Sequence, residues 1–188
     1  MEVKLLQQYL QMAHKENGIQ QGKWHMLCEN YLKEHEEEYL HMPAEAAIPR
    51  LISAQNLKDR RNLLSCESLG VHISIGDICF IDFGDAYLQE IGYQHFGLIA
   101  AMYHGKAFVI PMSGNYNAYL QAYSRQNPNG KQHLMQLGKI AGMRKPSVLF
   151  INDAKWINTA RIIDVKAHLD KDSELFKDIK ERVKRCLD

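Results

Sequence analysis

Between Glu90 and Asp153 the chain carries no Asp or Glu, yet it holds Lys106, Arg125, Lys131, Lys139, Arg144 and Lys145 together with His95, His104 and His133. An interval without carboxylates lets an anion approach without like-charge repulsion, which is what a phosphate-bearing partner requires. A solvated loop explains the same run equally well. Within it Tyr116, Tyr119 and Tyr123 stand near Arg125. Aromatic faces beside cations hold unstacked bases, although this spacing also fits one helical turn packing its tyrosines inward. Were that partner RNA, metal-free cleavage would need a base for the proton of a 2′-hydroxyl, an acid for the leaving 5′-oxygen, and donors facing the charged phosphorane. A histidine titrating near neutral pH serves as either base or acid.

Other constellations are poorer. Asp77 and Asp82 offer two carboxylates, but positions in and beside a short strand-like run read as turn and surface residues. His35 and His41 are six apart on a presumed helix and do not share a face as a metal-binding i, i+4 pair would. Glu36, Glu37 and Glu38 read as a solvated helix face. Cys28, Cys66, Cys79 and Cys186 form no Cys-x-x-Cys pair, which suits reduced thiols better than a disulfide frame or a zinc site. No Walker-type loop or Gly-x-Gly-x-x-Gly sequence indicates a nucleotide cofactor. The expectation is therefore no metal and no cofactor.

The elements that must position these residues divide in two. From Val3 to His41 the apolar residues recur three or four apart: Leu6, Tyr9, Leu10 and Ala13 on one stripe, and Trp24, Leu27, Cys28, Tyr31 and Leu32 on another, broken at Asn17-Gly18. A third helix is expected from Pro43 towards Leu64, with a disturbance at Pro49. After Gly70 the pattern becomes short β-rich runs: 78–83, 96–103, 107–112, 148–151 and 156–163. Residues 113–146 read as a long polar loop with a helical turn near Tyr119 to Tyr123. Asp172 is the expected N-cap of a closing helix, 172–187, with Leu175, Phe176, Ile179, Val183 and Leu187 on one face.

The 188 residues suffice for one domain with a helical extension, and 46% hydrophobic with 24% charged residues is ordinary globular composition at a net charge of +1. No run is long and apolar enough for a membrane span and the N-terminus is not signal-like, so a cytoplasmic location is expected.

The order of several segments is more specific than any single one. IGDICFIDFGDAYLQEIGYQHFGLIA around Gly76, then FVIPMSGN, then SVLFINDAKWINTARIIDVKAHLD resemble, in sequence and spacing, the MazF/PemK toxins over residues 76–170. That resemblance implies an α+β protein: a small SH3-like β-barrel at 70–188, preceded by a helical N-terminal extension at 1–69 and closed by a C-terminal helix. It implies the toxin of a toxin–antitoxin pair, an endoribonuclease that cuts single-stranded RNA, is a homodimer and is neutralised by an antitoxin protein. The family's arginine after its glycine-rich loop corresponds to Gln94, beside His95, and its strand-end hydroxyl to Ser113. The expected catalytic residues are thus His95, Ser113 and Gln94. The expected RNA contacts are Tyr116, Arg125, Lys131, Lys139, Arg144, Lys145 and Arg161, the last at a basic position of the family. With glutamine in the arginine's place, the alternative is a catalytically inactive module that binds nucleic acid or protein. A further alternative makes the N-terminal helices a lid or a dimerisation surface.

Overall fold

A computed structural model describes residues 3–15 and 21–186. The Asn17-Gly18 break and Leu187 lie outside them. The chain divides into two units, Met1–Ile48 and Pro49–Asp188.

The first unit holds helices α1 (Val3–Lys15) and α2 (Gln21–His41) and the first turn of α3 (Ala44–Arg60). Leu27 and Ala47 are buried, whereas Leu10, Trp24, Tyr31 and Leu32 are exposed. Along α2 the rings of Tyr31 and His35 meet edge to face at 4.4 Å, as residues four apart on a helix do.

In the second unit, among the described residues, eight strands form one sheet. They are β1 (Asp77–Asp82), β2 (Gln94–Tyr103), β3 (Lys106–Ser113), β4 (Ala122–Tyr123), β5 (Lys131–Gly138), β6 (Ser147–Phe150), β7 (Lys155–Asn158) and β8 (Ile162–His168). Their order is β4-β5-β6-β3-β2-β1-β8, with β7 also paired to β3. The β4–β5 pair is parallel and the other pairs are antiparallel. This corrects the SH3-like barrel expected from sequence: the sheet is mixed and open, because its two end strands do not pair. β4 has only two residues. β8 pairs β1 and exposes Asp164, Lys166 and His168 in alternation, a charged edge that discourages further pairing.

The strands read as apolar runs because both faces of the sheet are covered. Ile78, Leu98, Ile110, Met112 and Leu149 pack on one side with Phe176 and Ile179 of α5 (Glu174–Arg185). Cys79, Ile81, Ile99, Val109, Ile157 and Ile162 form the cluster on the other side. Burial pushes the Cys79 thiol up to about 12, with the nearby Asp77 charge adding to the shift, and raises that of Cys66 as well.

Three further expectations are revised. The polar stretch after Ser113 is ordered as α4 (Tyr116–Gln121), β4 and β5, in which Leu134, Met135 and Leu137 are buried. The run from Trp156 splits into β7 and β8 around a 3-10 turn at Thr159–Arg161. The cap of α5 is Ser173 rather than Asp172, since the Ser173 hydroxyl accepts a hydrogen bond from the Phe176 amide at 3.2 Å. The helix complement likewise exceeds a simple extension plus a closing helix, because the later part of α3 is bound into the sheet unit.

Candidate functional site

The loop from Gly84 to Tyr93 brings the chain from β1 into β2. It is pinned at its base by bonds from the Phe83 amide to the Tyr93 carbonyl and from the Tyr93 amide to the Gly84 carbonyl, each 2.7 Å. The Ile91 amide donates to Asp153 Oδ2 at 2.7 Å, which ties the loop to the turn before β7. Gly92 is required by close packing: a Cβ there would meet the Cβ of Ala86 at 2.8 Å.

That packing aims the Gly92 carbonyl at His95, whose Nδ1 lies 2.7 Å from it. A carbonyl oxygen only accepts, so Nδ1 carries the proton and the neutral ring presents Nε2 as a lone pair. Nε2 makes no hydrogen bond among the described residues, and His95 is half-buried.

His95 and Ser113 lie at the same end of neighbouring strands. The antiparallel β2–β3 ladder ends with Phe96 opposite Met112, and His95 and Ser113 are each one residue beyond that pair. Ser113 is held from the other side by β6 through Val148. Its hydroxyl accepts from the Asn115 amide at 3.2 Å. The stem of Lys145 runs past the following residue, since a Cβ on Gly114 would sit 3.7 Å from Lys145 Cδ. His95 and Ser113 therefore stand at the same end of adjacent strands, with the Lys145 stem beside Gly114.

Gln94 is turned elsewhere. Its Nε2 donates to the Pro49 carbonyl at 3.2 Å and to Ser53 Oγ at 2.8 Å. Ser53 in turn donates to Asp82 Oδ1 at 2.6 Å, and Asn56 Nδ2 donates to Asp82 Oδ2 at 2.6 Å. The Gly84 amide adds a bond of 3.0 Å to Oδ1. Arg60 Nη1 reaches the carbonyls of Ala160 and Ile162. Ser53, Asn56 and Arg60 are spaced i, i+3, i+7 and share one helix face, so α3 docks through a polar stripe. Leu51, Ile52 and Leu57 stay exposed as a result. Asp82 and Asp77 are both buried, contrary to the surface role expected for them. Asp77 bonds the His168 ring and the Ser74 amide.

The residues expected to contact RNA are dispersed. Tyr116 begins α4 and is exposed, whereas Tyr119 packs beside Ala122, Leu134 and Val148. Arg182 lies 3.6 Å from the centre of the Tyr123 ring. Arg125 is bonded to Asp178 at 2.6 Å, which raises the guanidinium pKa further. Lys131 and Lys139 lie at opposite ends of β5, while Arg144 and Lys145 precede β6; all four are exposed. Arg161 Nη1 donates to the Asp82 and Phe83 carbonyls at 3.2 and 3.0 Å. The Asp82 network was not legible from sequence. Its only signal was the spacing of Ser53, Asn56 and Arg60 on a helix whose apolar residues do not form a clean stripe.

Among the described residues no group of three or more His, Cys, Asp and Glu side chains is arranged to hold a metal ion, and no helix is long and apolar enough to cross a membrane. No family model and no curated protein matches the chain. Among solved structures it is similar to the Mycobacterium tuberculosis toxin MazF-mt6, with 11% identity over 59% of this chain and 95% of that one, at a TM-score of 0.41. This is a distant and partial likeness to a MazF-type toxin, and it says nothing about which residues act.

Proposed function

We propose that the unit beginning at Pro49 binds single-stranded RNA across the strand ends that carry His95 and Ser113, and cleaves it without a metal. The observation that carries this reading is the His95–Gly92 hydrogen bond, which leaves Nε2 as the ring's acceptor at the strand end next to that of Ser113, in a stretch of sequence that holds no Asp or Glu. Nε2 removes the proton of a ribose 2′-hydroxyl, and that oxygen attacks the adjacent phosphorus. The 5′-oxygen leaves and takes a proton from solvent, so the products are a 2′,3′-cyclic phosphate and a free 5′-hydroxyl. Ser113 donates to a phosphate oxygen and Lys145 offsets the charge that builds on the phosphorane. Gln94, with its amide spent on α3, positions the strand rather than touching the phosphate.

The sequence resemblance to MazF/PemK toxins supports the same activity and extends it. The chain acts in the cytoplasm as the toxin of a toxin–antitoxin pair, as a homodimer, restrained by an antitoxin whose acidic residues meet exposed cations such as Lys131, Lys139, Arg144 and Lys145.

One observation favours a second reading, a binding module without catalysis: the residue at the family's arginine position is an amide already committed to a helix. Incubation of the purified chain with a long single-stranded RNA in chelator separates the two. Discrete cuts ending in cyclic phosphate support the nuclease. Retention of intact RNA supports the module, and neither cutting nor retention removes both.

A further inference from the structure

A cavity of about 430 Å3 opens between the last turns of α3 and the start of the Gly84 loop. Neither His95 nor Ser113 lines it, and no role has been given to it above. Its volume falls in the range that holds a compact organic ligand. Its apolar surface comes from Ala54 and Leu57 on the helix, facing Phe83 and Ala160.

The charged groups narrow the ligand. Arg60, Arg61 and Arg161 line the cavity against Asp82 and Asp85, which leaves one net positive charge. Arg60 and Arg161 each spend Nη1 on backbone carbonyls. Both oxygens of Asp82 are satisfied by Ser53, Asn56 and Gly84, and Asp85 stands 3.6 Å from Arg50 at an exposed position. Arg61 has no side-chain hydrogen bond or ion pair among the described residues and is exposed. A single uncommitted guanidinium beside an apolar wall matches a ligand with one negative charge and a flat apolar body. A phosphodiester carries one charge, whereas a terminal phosphate carries close to two at neutral pH. Asn56 gives its Nδ2 to Asp82 and keeps its Oδ1 as an acceptor for a base edge.

We propose that this cavity receives one unstacked nucleotide of a single-stranded RNA, the base against Leu57 and Phe83 and the phosphodiester on Arg61, an inference that rests on the RNA reading above. Asp82, at the cavity, faces Gln94 across the β1–β2 ladder, and His95 follows Gln94 directly. The cavity thus adjoins the end of the β1–β2 ladder on the side to which Gln94 turns, and the α3 segment supplies the wall that meets the base.

The test measures binding of a dinucleoside monophosphate to the full chain in chelator, with the parent nucleoside as the uncharged control. Three variants are compared: Arg61→Ala, Arg61→Lys, and Ala54→Trp, which fills the cavity while keeping every arginine. Ala54 and Arg61 are exposed, and a circular-dichroism spectrum checks that each variant is folded. The expected result is saturable binding that weakens about tenfold or more in Arg61→Ala and Ala54→Trp, is partly kept in Arg61→Lys, and is about tenfold weaker for the nucleoside. Unchanged affinity in either Arg61→Ala or Ala54→Trp overturns the proposal, as does the lack of saturable binding up to about 1 mM. If the dinucleotide needs Arg61 but long RNA is neither retained nor cut, the cavity stands as a nucleotide site and the RNA reading falls. If long RNA is cut but the variants bind the dinucleotide as the parent does, the cavity falls and the reading stands.

Discussion

Asp82 and Gln94 face each other across the β1–β2 ladder and meet through one hydroxyl, that of Ser53, which donates to the carboxylate and accepts from the amide. A helix is thereby fastened to the sheet by polar bonds beside the strand that carries His95.

Replacing Ser53 by alanine leaves Asp82 Oδ1 with the Gly84 amide alone and leaves one Gln94 N–H without its acceptor. The expected cost is about 1–2 kcal/mol. Urea unfolding of the full chain measures it, and an unchanged midpoint would show that water replaces the hydroxyl without loss.

His95→Ala should lower RNA cleavage by about 100-fold or more, the usual contribution of a positioned acid or base. RNA affinity and the thermal midpoint should change little, because the ring bonds only the Gly92 carbonyl. Cleavage at the parental rate would dismiss His95 as the base.

Lys145 is exposed and runs beside Gly114, next to Ser113. Lys145→Ala should weaken RNA binding similarly for all sequences and reduce the slope of log affinity against log salt by about 1. Titrations at several salt concentrations read this slope, and an unaltered one would place Lys145 off the phosphate path.

The Cys79 thiol titrates at about 12 in the folded chain against 9.0 as its ordinary value, mainly through burial. Below pH 9 the thiol is neutral in both states and the full stability is present. As pH rises from 9 towards 12 the unfolded chain ionises first, so Cys79 subtracts stability across that window. At pH 8 a thiol reagent should modify exposed Cys186 rapidly and leave buried Cys79 and Cys66 intact until the chain unfolds. Mass spectrometry of the modified chain tests this, and rapid labelling of Cys79 in the folded state would contradict its burial.

Local pattern settled a good part of this protein. Apolar residues three or four apart gave α1 and α2, Pro43 marked the start of α3, Ile, Val and Phe runs gave β1 to β3, and Phe176 and Ile179 marked the buried face of α5, because such patterns follow from the local backbone alone. The carboxylate-free stretch from Ile91 to Asn152 is likewise a fact of the sequence. Tertiary structure decided the rest. Lys131–Gly138 became a strand because β6 pairs with it and buries Leu134 and Leu137, a long-range contact that its polar start conceals. The sheet stays open because pairing between distant strands, not the composition of each, determines closure. Asp82 became a buried hub, and Arg61 the uncommitted cation of a cavity, only when α3 set Ser53 and Asn56 over β1. Hydrogen bonds between residues some thirty positions apart depend on where the helix docks, and no local spacing encodes that.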